Sequence, residues 1–586
     1  MTEFLHPTIL FFSGALVTPF LHGTRRKLWL LLVPALAVAV VAMAQPGSYG
    51  AVRFLGQELL IARADKLSLV FASVFTIMAL IGMIYALHLR RPGQHVAAFL
   101  YIGSALGVVF AGDYLTLFVF WEGMAFASAY LIFAAGDEKA VQAGFRYLMV
   151  HLTGGIALLG GVILHGAATG SVIFGPIEGP LGAAAYLILI GFTLNAAVPP
   201  LNAWLTDAYP EATVTGAVFL SAFTTKTAVY VLARGFPGAE LLVWFGTAMA
   251  IYGVIYAVME NDCRRLLAYH IVSQVGYMVA GIGIGTEMAL NGATSHAFAH
   301  ILYKALLFMG AGAVIYVTGR RKLTELGGLY RTMPLTVTLY MIGAFAISAF
   351  PFFSGFVTKS MVVAAAGYDH RAAVMLLLTL ASSGTFLHTG LKLPYYMFFG
   401  RDSGLRPPEP PRNMLIAMSI AAALCIGIGV YPAPLYALLP YEVDYHPYTW
   451  AHVTESLGIL MFTALGFVLF LKALDPEDTI SIDTDWVYRK GARAFMRFAE
   501  KPFARYEQAV SAVSEKTLLP FMHRSAQAGL RADLGGIDAI VNGVARKVLR
   551  SGERLRRVQT GIVTHYAVGM IAGVIAAITV FAVVWL

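Results

Sequence analysis

The chain has 586 residues, 58% apolar and only 12% charged, about half the roughly 25% charge of a soluble domain. With a mean hydropathy of +0.72, this excludes a string of soluble domains and points to a polytopic membrane protein. The two cysteines, Cys263 and Cys425, lie far apart with no CxxC spacing, which excludes an iron–sulfur cluster or a cysteine-rich zinc site; no cofactor or metal is expected on the chain.

A spanning helix takes about 20 mostly apolar residues. That rule predicts about sixteen spans, at 7–22, 28–44, 67–88, 95–112, 114–134, 143–168, 181–205, 212–234, 240–259, 266–285, 291–318, 334–354, 372–399, 413–431, 451–472 and 565–586. They run to helix length and most lack strand-like alternation, so a helical bundle is expected rather than a barrel. With the amino terminus outside, the loops on the inner side carry Arg25-Arg26-Lys27, Arg90-Arg91, Lys139 with Arg146, Arg264-Arg265, Arg320-Arg321-Lys322 and Arg401 through Arg412, while 432–450 has no Lys or Arg. That parity follows the positive-inside rule. Arg25-Arg26-Lys27 followed by an apolar run and Ala42-Met43-Ala44 imitates a cleavable signal, but an apolar span precedes it, so the segment is expected to be retained.

Residues 473–564 break the pattern. Arg489, Arg493, Arg497, Lys501 and Arg505 recur every four residues, with Phe495, Phe498, Pro502, Tyr506 and Val510 on the other side. Leu530, Leu534, Ile537, Val541, Val544, Val548, Leu555 and Val558 continue at helical spacing. This predicts an amphipathic lateral segment along the cytoplasmic face, strapped to neighbouring helices or subunits, before the last span. Residues 486–564 hold 15 Lys and Arg against 6 Asp and Glu, which is the whole net charge of +9. A basic strip beside a neutral bundle suits anionic lipids or partner subunits and removes the case for nucleic acid.

Ionisable residues inside spans cost at least about 2.5–3.5 kcal/mol each on insertion scales and are functional candidates by default. Glu122 lies mid-span in FVFWEGMAF and Lys226 in SAFTTKTAVYVLAR. His296, His300 and Lys304 recur every four residues in HAFAHILYK and share one helix face. Lys392 lies near the end of a span in HTGLKLPYY, and Lys359 follows the break PFFSGFVTK. Asp113, Asp262 and Lys359 are secondary candidates, Lys359 as readily a paired structural group as a carrier. Pro199-Pro200, Pro351 through Gly355 and Pro394 interrupt spans, and broken spans free backbone groups that must face protein or a cavity. Such groups suit proton movement, because burial brings Lys, His and Glu toward neutrality.

FVFWEGM, PPLNAWLTDAYPEA, NDCRRLLAYHIVSQVGYM, HAFAHILYKALLFMGAG and FPFFSGFVTKS, in this order across residues 65–400, resemble the antiporter-like subunits shared by respiratory complex I and multi-subunit (Mrp-type) sodium/proton antiporters, with wording nearest the D-type component of the antiporters. The resemblance implies two inverted five-helix repeats, each with a broken helix, and a row of buried charges at the membrane midplane. It implies that Glu122 is the key glutamate, Lys226 a central lysine, His300 and Lys304 a paired His and Lys with His296 one turn earlier, and Lys392 the terminal lysine that communicates with the outer side. Two positions depart from the family pattern. Asn195 stands where the family's glutamate partner is a lysine, and Asn202 where the family has a histidine; an amide cannot carry a proton as an ammonium does. Either Glu122 pairs with Lys226, or the usual Glu–Lys switch is absent. The long tail looks more like the largest antiporter-like subunit of complex I.

The expected organisation is a transmembrane hairpin and loop at 1–64, a proton-translocating core at 65–400, peripheral spans at 401–472, the basic amphipathic segment at 473–564 and a final span at 565–586. The expected function is that of a membrane subunit in a monovalent cation (Na+)/proton antiporter assembly, with other membrane subunits as partners, in a bacterial or archaeal cytoplasmic membrane with the amino terminus outside. The alternatives are a proton-pumping subunit of a complex I-like hydrogenase or dehydrogenase, a membrane partner of an inorganic-carbon uptake system, and a subunit that has lost conduction.

Overall fold

The computed structural model describes residues 5–54, 56–177, 179–477, 483–557 and 559–585. Val558 and the side chain of Arg489 lie outside the described residues, as do residues 478–482 of the segment that links the bundle to the tail. The described chain divides into two compact units, 1–486 and 487–586.

The first unit opens with α1 (Pro7–Val17), α2 (Gly23–Met43) and a two-stranded antiparallel hairpin, β1 (Gly47–Phe54) and β2 (Gln57–Ala64). A loop was expected over these last residues; Tyr49, Val52, Phe54, Leu59, Leu60 and Ile61 supply the β-formers that pair instead. Then come α3 (Lys66–Ala86), α4 (Gly93–Phe110), α5 (Tyr114–Phe133), α6 (Glu138–Thr169), α7 (Ala183–Asn195), α8 (Ala203–Ala208), α9 (Val214–Ala222) and α10 (Thr224–Gly235). The second half holds α11 (Glu240–Met259), α12 (Cys263–Ile284), α13 (Glu287–Thr318), α14 (Pro334–Ile347), α15 (Ser354–Tyr368) and α16 (Ala372–Thr385), followed by π turns over Phe386–Lys392 and Tyr395–Phe399. It closes with α17 (Arg412–Val430), α18 (Ala433–Leu438) and α19 (Trp450–Leu469). Among the described residues, thirteen helices are long and apolar enough to cross a membrane, and three shorter apolar ones start at Pro7, Ala183 and Pro334. The protein is an all-α, multi-pass membrane protein.

Local sequence explains where the helices start and stop. Asp65, Asp113, Asp137, Thr213, Asp262 and Thr286 each accept a backbone N–H of the first turn. Gly170, Gly285 and Gly319 close α6, α12 and α13 in the left-handed conformation. Helices α12 and α13 form the centre, where even the polar side chains Gln274, His296, His300 and Lys304 are buried.

The two interrupted helices end in the same way. Ala197 and Ala349, each two residues past the last residue of α7 and α14, take positive φ of 58° and 56°. The next amide reaches back five residues in each case, Val198 to Thr193 and Phe350 to Phe345, both at 3.1 Å. This is the Schellman pattern that consumes free carbonyls at a helix end.

Hydrogen bonds between loops sort the first unit into two ends. At one, Arg26 donates to Arg90, Arg264 to Pro210 and Ala212, Arg321 to Glu211, and Arg331 to Asp402. At the other, Leu60 meets Asp113, Tyr114 meets Val172, Gly238 meets Ile282, and Asn291 meets Tyr441. The basic loops therefore gather at one end, as their parity in sequence predicts.

In the second unit α20 (Asp485–Phe498), α21 (Ala504–Val513), α22 (Leu519–Ala532) and α23 (Asp538–Arg556) run into one another through π turns at 499–503, 514–518 and 533–537. At 1.5 Å per residue the run is about 110 Å long. Within this chain Phe495, Phe498, Val510, Leu530, Leu534, Val541 and Val548 are exposed along it. It precedes α24 (Val563–Trp585), the last span.

Candidate functional site

Glu122 sits mid-way along α5, and its Oε1 is buried with no hydrogen-bond partner among the described residues. It points at α6, where Gly155 leaves room: a Cβ there would lie 1.8 Å from Oε1. One turn away on α6, His151 is 2% exposed. Its ring packs on Tyr147, centroids 4.2 Å apart, and on Trp204 at 4.5 Å. Asn195, the last residue of α7, lies beside this ring. Asn195 is the polar neighbour of the ring, but neither its amide nor either His151 nitrogen completes a well-aligned hydrogen bond among the described residues.

Lys226 lies one turn into α10, just past the kink at Phe223 that separates it from α9. Its Nζ donates to the Ser221 carbonyl at 2.6 Å and to Thr225 Oγ1 at 3.0 Å. Glu122 is in none of the described ion pairs, so of the two arrangements left open by the sequence, the Glu122–Lys226 pair is not the one formed in this conformation. Between them stand hydroxyls: Tyr147 with Ser128 at 2.8 Å, Tyr101 with Thr224 at 2.5 Å, and Tyr209 beside Thr224.

On α13, His296, His300 and Lys304 share a face, as their spacing predicts. The His296 and His300 ring centroids are 6.1 Å apart, and neither nitrogen of His300 has a partner among the described residues. Lys304 Nζ lies 3.3 Å from His270 Nδ1 on α12; His270 Nε2 lies 3.2 Å from Thr385 Oγ1, and its ring 4.9 Å from that of His388. Lys392, at the end of the same π turn as His388, donates to the Val258 carbonyl at the end of α11. Lys359 on α15 donates at 3.2 Å to the Ile347 carbonyl, the last of α14.

The three lysines therefore share a device. Lys226, Lys359 and Lys392 each donate to a main-chain carbonyl at a helix end or break rather than to a carboxylate. An amine and an ammonium can both donate to a carbonyl, so losing the proton does not strand the group without a partner. Lys359 also lines a cavity of about 520 Å³ shared with Ser348, Ser382, Tyr445, His452 and Glu455, at the end away from the basic loops. Lys392, by contrast, lies toward the Val258 and Glu260 end, where the basic loops gather.

The remaining sequence candidates are engaged in structure. Asp113 caps α5, accepting from Thr116 N and Thr116 Oγ1 at 2.7 Å and from Leu60 N at 3.0 Å. Asp262 caps α12 and meets Arg321 at 2.7 Å. Asn202 donates to Tyr252 Oη at 2.9 Å; Tyr252 and Tyr269 both donate to the buried carboxylate of Asp483. His151, His270, His388 and Asp483 were not among the sequence candidates. The first three carry the same signal as the others, an ionisable group within an apolar run.

A family model described as "NADH:quinone oxidoreductase/Mrp antiporter, TM" matches residues 111–387, which span Glu122 to His270, His300 and Lys304. A probable K+/H+ antiporter component (type A/B) of Rhizobium meliloti is 30% identical over 400 residues, 63% of this chain and 40% of its own length, so the match spans two fifths of that relative. The D-type component of the Na+/H+ antiporter of Alkalihalophilus pseudofirmus is 29% identical over 395 residues, 63% of this chain and 79% of that one. A chain in the structure of the Mrp complex from Dietzia sp. has the same fold, with a TM-score of 0.67 at 23% identity over 78% of this chain and 100% of that one. Residues 111–387 thus match the membrane domain that NADH:quinone oxidoreductases and Mrp antiporters share, and the chain has the fold of a chain in an Mrp complex.

Proposed function

We propose that this chain is the proton-conducting membrane subunit of a multi-subunit monovalent cation (Na+)/proton antiporter, in a cytoplasmic membrane with its amino terminus outside. The observation that carries the reading is the row of titratable groups from the half-buried Glu122, whose Oε1 is buried, through the buried Lys226, His300 and Lys304 to His270 and His388, none paired with an opposite charge among the described ion pairs. A bundle that needed such groups only for stability would neutralise them, because an unpaired buried charge is costly. A row of groups that gain and lose protons in turn has a use for them unpaired. The matching chain reversals at Ala197 and Ala349 support the two-repeat architecture, and the thirteen long and three shorter apolar helices among the described residues fit sixteen crossings.

One expected role changes. Lys392 faces the end with the basic loops, and Lys359 faces the cavity at the other end. We therefore assign the outward mouth to Lys359 and keep Lys392 as a group on the cytoplasmic side. Cations and protons are the transported species, other membrane subunits the partners, and anionic lipids the surface for the basic run at 486–557. A redox-driven complex is the second reading, favoured by the long amphipathic run and the helix after it. The test is cation-dependent proton flux in everted vesicles carrying the whole assembly. Glu122→Ala and Lys226→Ala abolish flux while the assembly still forms; parent-like flux in both would overturn the pathway.

A further inference from the structure

Histidines buried for structural reasons are hydrogen-bonded, because a polar ring atom without a partner in a low-dielectric interior is costly. His151 breaks that rule twice. It is 2% exposed, and neither ring nitrogen completes a well-aligned hydrogen bond among the described residues, although the Asn195 amide lies close enough to interact with the ring. Three features surround it. Gly155, one turn along α6, is where the Glu122 carboxylate rests. Asn195, beside the ring, is an amide whose own polar atoms are also without partners. Tyr147 and Trp204 clamp the ring from two sides and fix its plane.

We propose that His151 is the proton acceptor for Glu122, the titratable group on the stretch of the pathway where Asn195 cannot carry a proton. This rests on the proton-conducting reading above and names one of its carriers. The transfer is balanced: the protonated Glu122 carboxyl gives its proton to one nitrogen of the neutral imidazole, leaving a carboxylate and an imidazolium. Positions one turn apart on a helix are about 5–6 Å from each other, a span that one bridging water covers. The transfer creates no net charge, since the pair is neutral before and after, so the low-dielectric site opposes it far less than it would a lone imidazolium.

The groups that face the ring leave few rival acceptors. From α5 comes Glu122; from α6 itself, Tyr147, whose hydroxyl is engaged with Ser128 at 2.8 Å; from α7, Asn195. From α8 comes Trp204, with Tyr209 packed behind it at 5.8 Å. The Arg146–Asp207 ion pair, 2.6 Å apart, sits further along α6. Of these, only Glu122 and the ring itself can pass a proton between them without breaking an ion pair. From the imidazolium, the Tyr147, Tyr209 and Thr224 hydroxyls lead toward Thr225 and Lys226.

The test uses the whole assembly in everted vesicles, with NaCl or KCl added as the probe and proton flux followed from about pH 6 to 9. His151→Gln keeps a polar side chain of similar reach but cannot titrate; flux falls by about tenfold or more. The double variant His151→Gln with Asn195→Lys puts an ammonium beside the vacated ring position and restores flux, with its pH profile shifted to the alkaline side. If His151→Gln assembles poorly, His151→Asn is read in its place, and rescue in the double variant reports folding and conduction together. Parent-like flux and pH profile in an assembled His151→Gln, or a double variant no better than the single one, overturns the proposal. Glu122→Ala separates the two levels: a silent Glu122→Ala sinks the conduction reading, whereas a dead Glu122→Ala beside a silent His151→Gln sinks the role of His151 alone.

Discussion

The Glu122 carboxylate occupies the space that a side chain at Gly155 would need, so one helix carries the acid and its neighbour carries the gap that holds it. What a Cβ at 155 would strike is the far end of a flexible side chain, not backbone. Gly155→Ala therefore turns Glu122 aside at little steric cost, and the helix gains up to about 1 kcal/mol in propensity. The expected result is an assembly at least as heat-stable as the parent with strongly reduced proton flux. Melting temperature and flux measured on one preparation check this; parent-like flux would show that the resting place of Glu122 is immaterial.

A second pair holds the first half of the bundle together. The buried Arg234 donates to both oxygens of Asp65 at 2.7 Å, and Asp65 also caps α3 through the amide of Ser68. Asp65→Ala removes the cap and strands a guanidinium that is 8% exposed. Loss of one partner from such a pair costs about 3 kcal/mol. A clear drop in the melting temperature of the purified protein is expected, with no change in the pH profile of whatever flux survives. An unaltered melting curve would mean the pair contributes nothing.

A third prediction concerns pH in the loop after the Tyr395–Phe399 turn. The Arg406 guanidinium, 2.6 and 2.8 Å from the two oxygens of Asp402, holds that carboxyl well below the usual carboxylate range, and the Gly404 amide adds to the effect. Because the folded value is lowered, the ionised form stabilises the turn fully above the ordinary carboxylate pKa, and the contribution is lost only as pH falls toward the lowered one. The Gly404 amide should stay protected from hydrogen exchange from neutrality down through about pH 4. In Asp402→Asn that protection is reduced across the same range. Equal protection in the two proteins would refute the link.

How much was legible in advance depended on whether a feature was local in sequence. The apolar segments, the basic loops and the stripe His296, His300, Lys304 each come from one stretch of chain, and periodicity reveals them. The cluster around Lys304 does not: His270, Thr385 and His388 arrive from other helices, with sequence separations of 34 between Lys304 and His270 and 115 between His270 and Thr385. His151 carries only the weak signal of one ionisable group in an apolar run, with no periodic partner on its own helix to strengthen it. Only the neighbouring gap at Gly155 and the amide of Asn195 give it meaning, and both depend on how α5, α6 and α7 pack. The loop expected before α3 became a hairpin through pairing of two stretches that look unremarkable alone.

Composition and spacing by themselves determined that this is a helical membrane bundle with a basic amphipathic tail, because the cost of burying charge and leaving backbone groups unpaired in lipid leaves few other solutions. They also marked Glu122, Lys226 and the α13 stripe as groups that need a reason to be buried. Tertiary structure alone decided what each of those groups faces. It set Glu122 against Gly155 rather than against Lys226, gave Lys226, Lys359 and Lys392 carbonyls at helix ends as partners, and put Lys359 and Lys392 toward opposite ends. The physical reason is that partner choice in a buried site is settled over a few ångströms by crossing helices, a distance scale that one-dimensional spacing does not encode.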